Sequence, residues 1–382
     1  MASAAKILMC PPDHYAIEYE INPWMDRQVG SDRVESARQW TVLRDTLLDL
    51  GATVELMEPV AGLPDLVFTA NAGLIYEDLF LSSRFRHGVR QGETPRFEAW
   101  FAAHGFRVES LPPGQNFEGA GDALFCGDVL FAGYRFRSDA RSELWLGDRL
   151  GVEVLPLELV DARYYHLDTC FCPLADGEAI YYPGAFDEYG RAVLEARIPR
   201  LIAVTADEAV SFSCNAVVVG RSVVLSDGAP KLSKSLIDAG YAVHPVRLTE
   251  FLKSGGSAKC LTLRLDGEEA AGWKVGQGWG HEQNPPMLEP ANRSGHNLEP
   301  LLKSRPRTAA LACPFASTPS DPSDLGPQGP RSQGGDRHDE DHARLLGPDP
   351  VARPARLRAN QPDRYAGAVL AAREIPLRPS PG

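Results

Sequence analysis

The sequence predicts an α/β fold built from five repeated modules closed into a ring, in the manner of a propeller with helices on the outside. Three observations predict it. A segment of helical period, a break and a short apolar strand occur in that order five times. Four of the five breaks carry a glycine, and pairs of apolar strands joined by a turn lie between the helical units.

The helical units read ARQWTVLRDTLLDLGATVELM, TPRFEAWFAAHGFRVESL, ARSELWLGDRLGVEVLPL, RAVLEARIPRLIAV and SKSLIDAGYAVHPVRL. Gly51, Gly105, Gly151 and Gly240 stand where a helix needs a left-handed cap. The strand pairs read NAGLIYEDLFLSS, GDALFCGDVLFAG, LDTCFCPLADGEAIYYPG and CNAVVVGRSVVLSDG, each with a turn marked by Asp or Gly. The polar residues that open them, Asn71, Asp122, Asp168 and Asn215, recur at intervals of 46 to 51 positions. A doubly wound parallel sheet alternates one strand with one helix, so two strands per unit plus one after each helix suit it poorly. Closed radial repetition accommodates them and brings one end of every module to a central channel, where a ligand site is expected.

Roughly half of the 31 prolines lie beyond residue 276, in a stretch too poor in apolar residues to bury a core. The folded domain is therefore expected to occupy residues 1–275, with a disordered tail over 276–382. The tail also reads like a GC-rich gene translated in a shifted frame. A net charge of -12 and a pI near 5.3 argue against a nucleic-acid surface and suit a small cationic ligand. No apolar run approaches the roughly 18 residues of a membrane helix, and the N-terminal stretch lacks the apolar segment of a secretory signal. A cytoplasmic protein is expected. The seven cysteines, odd in number and without framework spacing, read as reduced thiols.

Candidate chemistry follows from a few positions. Cys260 comes after the glycine-containing loop of KSGGSAKCLTLRL, at the start of an apolar strand. A lone cysteine there behaves as a small hydrophobe, so its partners decide its role. His166 lies two residues before Asp168 in YYHLDTCFCPL, and on an extended strand the two side chains face one side, which suits an acid/base group. Glu118 in NFEGAGDALF and Asp65 in GLPDLVFTANAGL each deliver a carboxylate just before a hairpin. Acids gathered at one channel match the planar donors of a guanidinium. Arg90 and Arg137 read either as surface arginines or as anchors for an amino-acid carboxylate. Cys170 and Cys172 are explained by strand alternation, and no second pair has zinc-ligand spacing, so no metal is expected. No phosphate loop, dinucleotide fingerprint or serine elbow is present.

FTAN at 68–71, FEGAGD at 117–122, HLDT at 166–169 and SGGSAKC at 254–260, in that order, resemble the guanidino-group modifying enzymes. This superfamily holds arginine deiminase, dimethylargininase, arginine dihydrolase and amidinotransferase, and has a five-module pentein propeller with pseudo-five-fold symmetry. The likeness spans residues 5 to about 270. INPWMD at 21–26 is similar to the bacterial dimethylargininase-like and arginine dihydrolase-like branch. The resemblance implies that Cys260 is the nucleophile, that His166 is the general acid/base, and that Glu118 and Asp168 hold guanidinium nitrogens. Arg90 and Arg137 fall on the positions that bind the substrate α-carboxylate. Asp65, from its place at the end of a module, is expected to point into the same channel and bind substrate.

One departure bears on the product. Many deiminases have FTRD where this chain has FTAN, so Asn71 replaces a guanidinium-binding aspartate. In the dihydrolase-like branch that asparagine, with another at the Asn22 position, goes with loss of two ammonia molecules and release of ornithine. The expected function is hydrolysis at the guanidinium carbon of arginine or an Nω-methylated arginine, through a covalent thiouronium on Cys260 and without a cofactor. The expected thiolate is one whose pKa is lowered by a cation, either His166 or the substrate. The alternatives are an amidinotransferase and a propeller that binds an arginine-like ligand without chemistry. The expected partner is the small-molecule substrate alone, with assembly as a homo-oligomer left open.

Overall fold

The computed structural model describes residues 4–274, and the tail expected over 276–382 lies outside the described residues. The chain opens with β1 (Lys6–Met9), α1 (Arg33–Asp49) and β2 (Thr53–Leu56). Asp32 caps α1 by accepting from the Glu35 N–H, so an otherwise orphaned donor is satisfied at the helix start. Next come β3 (Gly73–Tyr76), β4 (Leu79–Ser82), α2 (Thr94–Ala103) and β5 (Arg107–Ser110). The third group is β6 (Ala123–Cys126), β7 (Val129–Tyr134), α3 (Ala140–Leu150) and β8 (Glu153–Glu158). The fourth is β9 (Phe171–Ala175), β10 (Glu178–Tyr181), α4 (Glu188–Arg197) and β11 (Arg200–Ala203). A short α5 (Ala206–Ala209) leads to β12 (Val217–Val219), β13 (Ser222–Ser226), α6 (Pro230–Asp238) and β14 (Ala242–Val246). The described chain ends with α7 (Thr249–Leu252) and β15 (Leu263–Arg264).

All five expected helix-break-strand units are present, and the four break glycines have positive φ, from 69° at Gly151 to 85° at Gly51. Each hairpin pairs with the strand that follows its helix, giving three-stranded sheets in which the middle strand is antiparallel to one neighbour and parallel to the other. In the second group Leu79 pairs with Tyr76 on one side and Arg107 on the other. A hairpin alone buries too little to be stable, so the third strand and the helix packed beside it complete the unit. The Phe101 ring of α2 stacks on Phe80 of β4 with centroids 3.6 Å apart, and both are fully buried.

Four hairpins are visible in the sequence; the fifth sheet is assembled from the two ends of the described chain. β15 runs antiparallel to β1, with Ile7 opposite Arg264, and β1 runs parallel to β2. Pairing across more than 250 residues leaves no local turn signal, which is why that hairpin is invisible to a reading of neighbours.

Hydrogen bonds at the hairpin openings link the groups in a closed circuit. Asn71 Nδ2 donates to the Glu118 carbonyl at 3.4 Å. The Leu167 N–H donates to Asp122 Oδ1 at 3.1 Å, and Asn215 Nδ2 to the Asp168 carbonyl at 3.0 Å. The Cys260 N–H donates to Asn215 Oδ1 at 3.0 Å, and the Ala70 N–H returns to the Cys260 carbonyl at 3.2 Å. The periodic polar residues are thus stitches between successive groups, donating to or accepting from buried backbone groups of a neighbour. Asp122 is absorbed wholly by this task, since its other oxygen accepts from Ser138 at 2.6 Å.

Candidate active site

Cys260 is buried in a turn that precedes β15 by three residues, rather than opening the strand itself. Its environment is made by Asn215 and Asp168. Asn215 Oδ1 accepts from the Ser257 and Cys260 N–H groups, and Nδ2 lies 3.1 Å from Sγ. The thiol donates to Asp168 Oδ2 at 3.3 Å. Gly256 is needed for this turn, because a Cβ there would sit 2.7 Å from the Phe68 ring and 3.3 Å from the Cys260 Cβ.

His166 and Asp168 meet the site by a route the sequence does not suggest. His166 is extended, but Leu167–Thr169 forms a 3-10 turn, so the two residues do not share a strand face. Asp168 is swung to Cys260, while His166 Nε2 contacts Glu118 Oε2 at 2.7 Å. Burial lowers the His166 pKa to about 4 despite the carboxylate beside it, so the ring is neutral near pH 7. Arg137 donates to the same Glu118 oxygen at 3.0 Å, and the Arg86 N–H donates to Oε1. Glu118 is itself fully buried, and this burial opposes its charge; Arg137 and His166 outweigh it and hold the carboxyl well below the usual range. A neutral imidazole against a carboxylate places its proton on Nε2 and leaves Nδ1 as the open acceptor.

Two expectations are corrected by this geometry. The guanidinium-holding role expected of Glu118 is not the one its contacts favour: three donors, from His166, Arg137 and Arg86, already occupy its two oxygens, and it orients the histidine. Nor does His166 provide the cation that would lower the Cys260 pKa. Burial, and then the Asp168 carboxylate, push the Cys260 thiol well above its ordinary value. Burial likewise raises Asp168 to about 7, and its Oδ1 is buried with no hydrogen-bond partner.

A narrow pocket, of about 250 Å³ including its part open to solvent, reaches Cys260 and is lined by Asn22, Asp65, Phe68, Asn71, Arg90, Arg137 and Tyr165 among others. Six of the nine residues singled out in the sequence therefore line it: Cys260, Asp65, Asn71, Arg90, Arg137 and Asn22. Glu118, His166 and Asp168 stand directly behind them. Asn22 is fixed by donating to the Ser254 carbonyl at 3.0 Å and accepting from the Trp24 N–H at 2.9 Å. Burial raises the Asp65 pKa, and Arg90 and Tyr19 oppose that rise.

Arg90 and Arg137 are buried, not surface residues. Arg90 makes a two-pronged pair with Glu93 at 2.8 and 2.7 Å, donates to Asn71 Oδ1 at 3.0 Å, and lies over the Phe85 ring. Arg137 lies over the Tyr165 ring and donates to the Ile21 carbonyl. Asn71 is consequently held at both ends of its amide. Glu93 escapes a sequence reading because it looks like an ordinary acid before α2; only its i,i+3 spacing from Arg90 hints at a pair. The thiols of Cys170 and Cys172 donate to the carbonyls of Leu167 and Ala216.

The family model described as "N,N dimethylarginine dimethylhydrolase, eukaryotic" matches residues 22–266. The chain belongs to this family. It is 50% identical over 270 residues to the bifunctional arginine dihydrolase/ornithine cyclodeaminase ArgZ of Synechocystis sp., a match covering 69% of this chain and 38% of that protein. It is 42% identical to the N(G),N(G)-dimethylarginine dimethylaminohydrolase of Mycobacterium tuberculosis, over 67% of this chain and 84% of that one. Among solved structures, the N-terminal domain of ArgZ bound to substrate superposes with a TM-score of 0.67 at 48% identity, covering 69% of this chain and 99% of the domain. The chain spans 38% of the length of its two cyanobacterial curated relatives.

Proposed function

We propose that residues 1–275 form a hydrolase that attacks the guanidinium carbon of L-arginine through Cys260 and proceeds past citrulline to ornithine. The five sheets and the circuit of hydrogen bonds between them support a five-bladed pentein propeller around the site. The observation that carries the reading is the Asp168 carboxylate, with one oxygen on the Cys260 thiol and the other buried without a donor. A guanidinium N–H bound to that free oxygen places its carbon beside Sγ and brings the positive charge that the site lacks there. Asp65 offers a second carboxylate in the pocket, and Arg90 and Arg137 line it with the positive charge that an α-carboxylate needs.

The thiol is protonated at rest and ionises when the cationic substrate enters. His166 takes its proton at Nδ1 and gives it to the departing nitrogen. The new C–S bond and the broken C–N bond leave a thiouronium on Cys260 and one ammonia. Water, deprotonated by His166, then displaces the sulfur to give citrulline. Asn71 supports the second round: beyond its bonds to the Glu118 carbonyl and Arg90, its amide keeps one N–H for a ureido oxygen and one lone pair for a ureido nitrogen. Cys260 adds to the ureido carbon, a second ammonia leaves, and a second water displaces the sulfur to give the N-carboxylate of ornithine, which loses carbon dioxide. The 50% identity to the arginine dihydrolase ArgZ supports this product.

A second reading, hydrolysis of dimethylarginine to citrulline and dimethylamine, is favoured by the family model. Incubation of the protein with each substrate, followed by product identification, separates the two. Ornithine and two equivalents of ammonia per arginine are expected, with no dimethylamine from dimethylarginine. Dimethylamine release faster than ammonia release from arginine reverses the assignment, and amidino transfer to an added amine replaces hydrolysis by an amidinotransferase. Free thiols at all six described cysteines support a reducing, cytosolic setting. A chain ending at residue 275 is expected to keep the activity.

A further inference from the structure

A second cleft, of about 690 Å³ including its part open to solvent, lies beside the chain that leads from β4 to α2. It is lined by Ser82, Ser83, Arg84, Phe85, Glu98 and Ser110 with the start of α2. Two of its lining residues carry a polar atom that is buried without a hydrogen-bond partner, the Ser83 hydroxyl and Arg84 Nε. Ser83 is only 1% exposed. A folded chain rarely leaves such donors empty unless something outside the chain meets them.

The charges in the cleft are arranged as a pair with a gap. Arg84 donates through Nη2 to the Leu111 carbonyl at 3.1 Å, which fixes its plane and leaves Nε unmatched. Glu98, which also lines the cleft, accepts from Ser82 at 2.7 Å and Ser110 at 2.9 Å, both at Oε1. Its second oxygen has no hydrogen bond among the described residues. Arg84 and Glu98 form no ion pair with each other among the described residues, although both face the same cleft. A guanidinium, an unpaired hydroxyl and a half-free carboxylate together fit a ligand carrying both a carboxylate and an ammonium.

We infer that this cleft is a binding site for a free α-amino acid, with its carboxylate on Arg84 and Ser83 and its ammonium on Glu98. The site is near the proposed catalytic pocket without being part of it. Phe85 lines the cleft, and the Arg90 guanidinium lies 4.5 Å from the centroid of the same ring. The Arg84 backbone also pairs in both directions with Phe117, the neighbour of Glu118.

Titration calorimetry of the full chain with L-ornithine, sulfate and putrescine tests the inference. Sulfate carries only the anionic half of the ligand, and putrescine only the cationic half. Ornithine is expected to show a class of sites that weakens at least tenfold in Glu98→Gln and in Arg84→Gln, and that persists in Asp168→Asn. Glu98→Gln keeps acceptors for Ser82 and Ser110, and Ser83→Ala removes no hydrogen bond of the folded chain, so both should fold. Ser83→Ala is expected to weaken the same class about threefold. Ornithine binding that is unchanged in all three cleft variants overturns the inference. So does sulfate binding as tight as ornithine, which makes the cleft an anion site. Failure of the proposed hydrolase reads differently, as absent arginine turnover with the Glu98-dependent class intact.

Discussion

Asn215 holds both the backbone and the sulfur of Cys260, its Oδ1 accepting from the Cys260 N–H at 3.0 Å and its Nδ2 lying 3.1 Å from Sγ. The same oxygen accepts from Ser257, so one side chain sets the whole turn. Asn215→Ala orphans two buried N–H groups, at about 1–3 kcal/mol each when left unsatisfied. Urea unfolding is expected to show a loss of about 3 kcal/mol, and turnover should fall about 100-fold as the proposed nucleophile loses its position. Asn215→Asp keeps the acceptor but adds a negative charge against sulfur. It should lose less stability than the alanine variant and still be nearly inactive at neutral pH. Full activity in Asn215→Asp shows that the amide does not govern the thiol.

On the proposed mechanism the ionisation of Cys260 is coupled to the cation that enters with the substrate. Burial and Asp168 hold the thiol above its ordinary value, and His166 is neutral. Alkylation by neutral iodoacetamide is therefore expected to be slow at pH 7 and to keep rising past pH 9, whereas a cationic haloacetamidine should label Cys260 at pH 7 at least 100 times faster. A plateau in the iodoacetamide rate below pH 8 contradicts this picture of the resting site.

Glu93 pairs with Arg90 through both oxygens, and both side chains are buried. The pair fixes the plane of the guanidinium and leaves Nη1 for Asn71. Glu93→Gln removes the charge and one of the two matched acceptors. Arginine KM is expected to rise about tenfold with kcat within threefold, the pattern of a lost contact made equally in ground and transition states. A fall in kcat with KM unchanged assigns Glu93 a different role.

The modules, their helices and most of the site were legible because they rest on local chemistry. Apolar periodicity marks α1 to α4 and α6, and glycines such as Gly151 mark the breaks. The fifth sheet was not legible, because Ile7 and Arg264 pair with no turn between them. Cys260, Asp65 and Asn71 were found at the pocket, but the roles of Glu118 and Asn215 depend on what each side chain meets across a module boundary. No spacing along the chain states that Glu118 is already engaged by His166, Arg137 and Arg86. The protonation state of Cys260 was missed for the same reason, since burial is a property of the assembled fold.

Glu143 on α3 poses a separate problem of stability. Its carboxyl is buried, neither oxygen has a hydrogen-bond partner, and burial, reinforced by Asp122, raises its pKa to about 9. Between the ordinary value of 4.5 and about 9 the folded chain holds a proton there that the unfolded chain releases. Unfolding thus releases a proton in this window, and this group's contribution to stability falls as pH rises through it. Above about 9 the loss is complete, and below 4.5 both states are protonated and nothing is lost. Glu143→Gln removes the titration while keeping the shape. The variant is expected to gain stability relative to wild type as pH rises from 5 to 8, by an amount on the order of a few kcal/mol. Denaturant unfolding at several pH values measures it, and parallel stability curves for the two proteins between pH 5 and 8 show that Glu143 is ionised or hydrated in the fold.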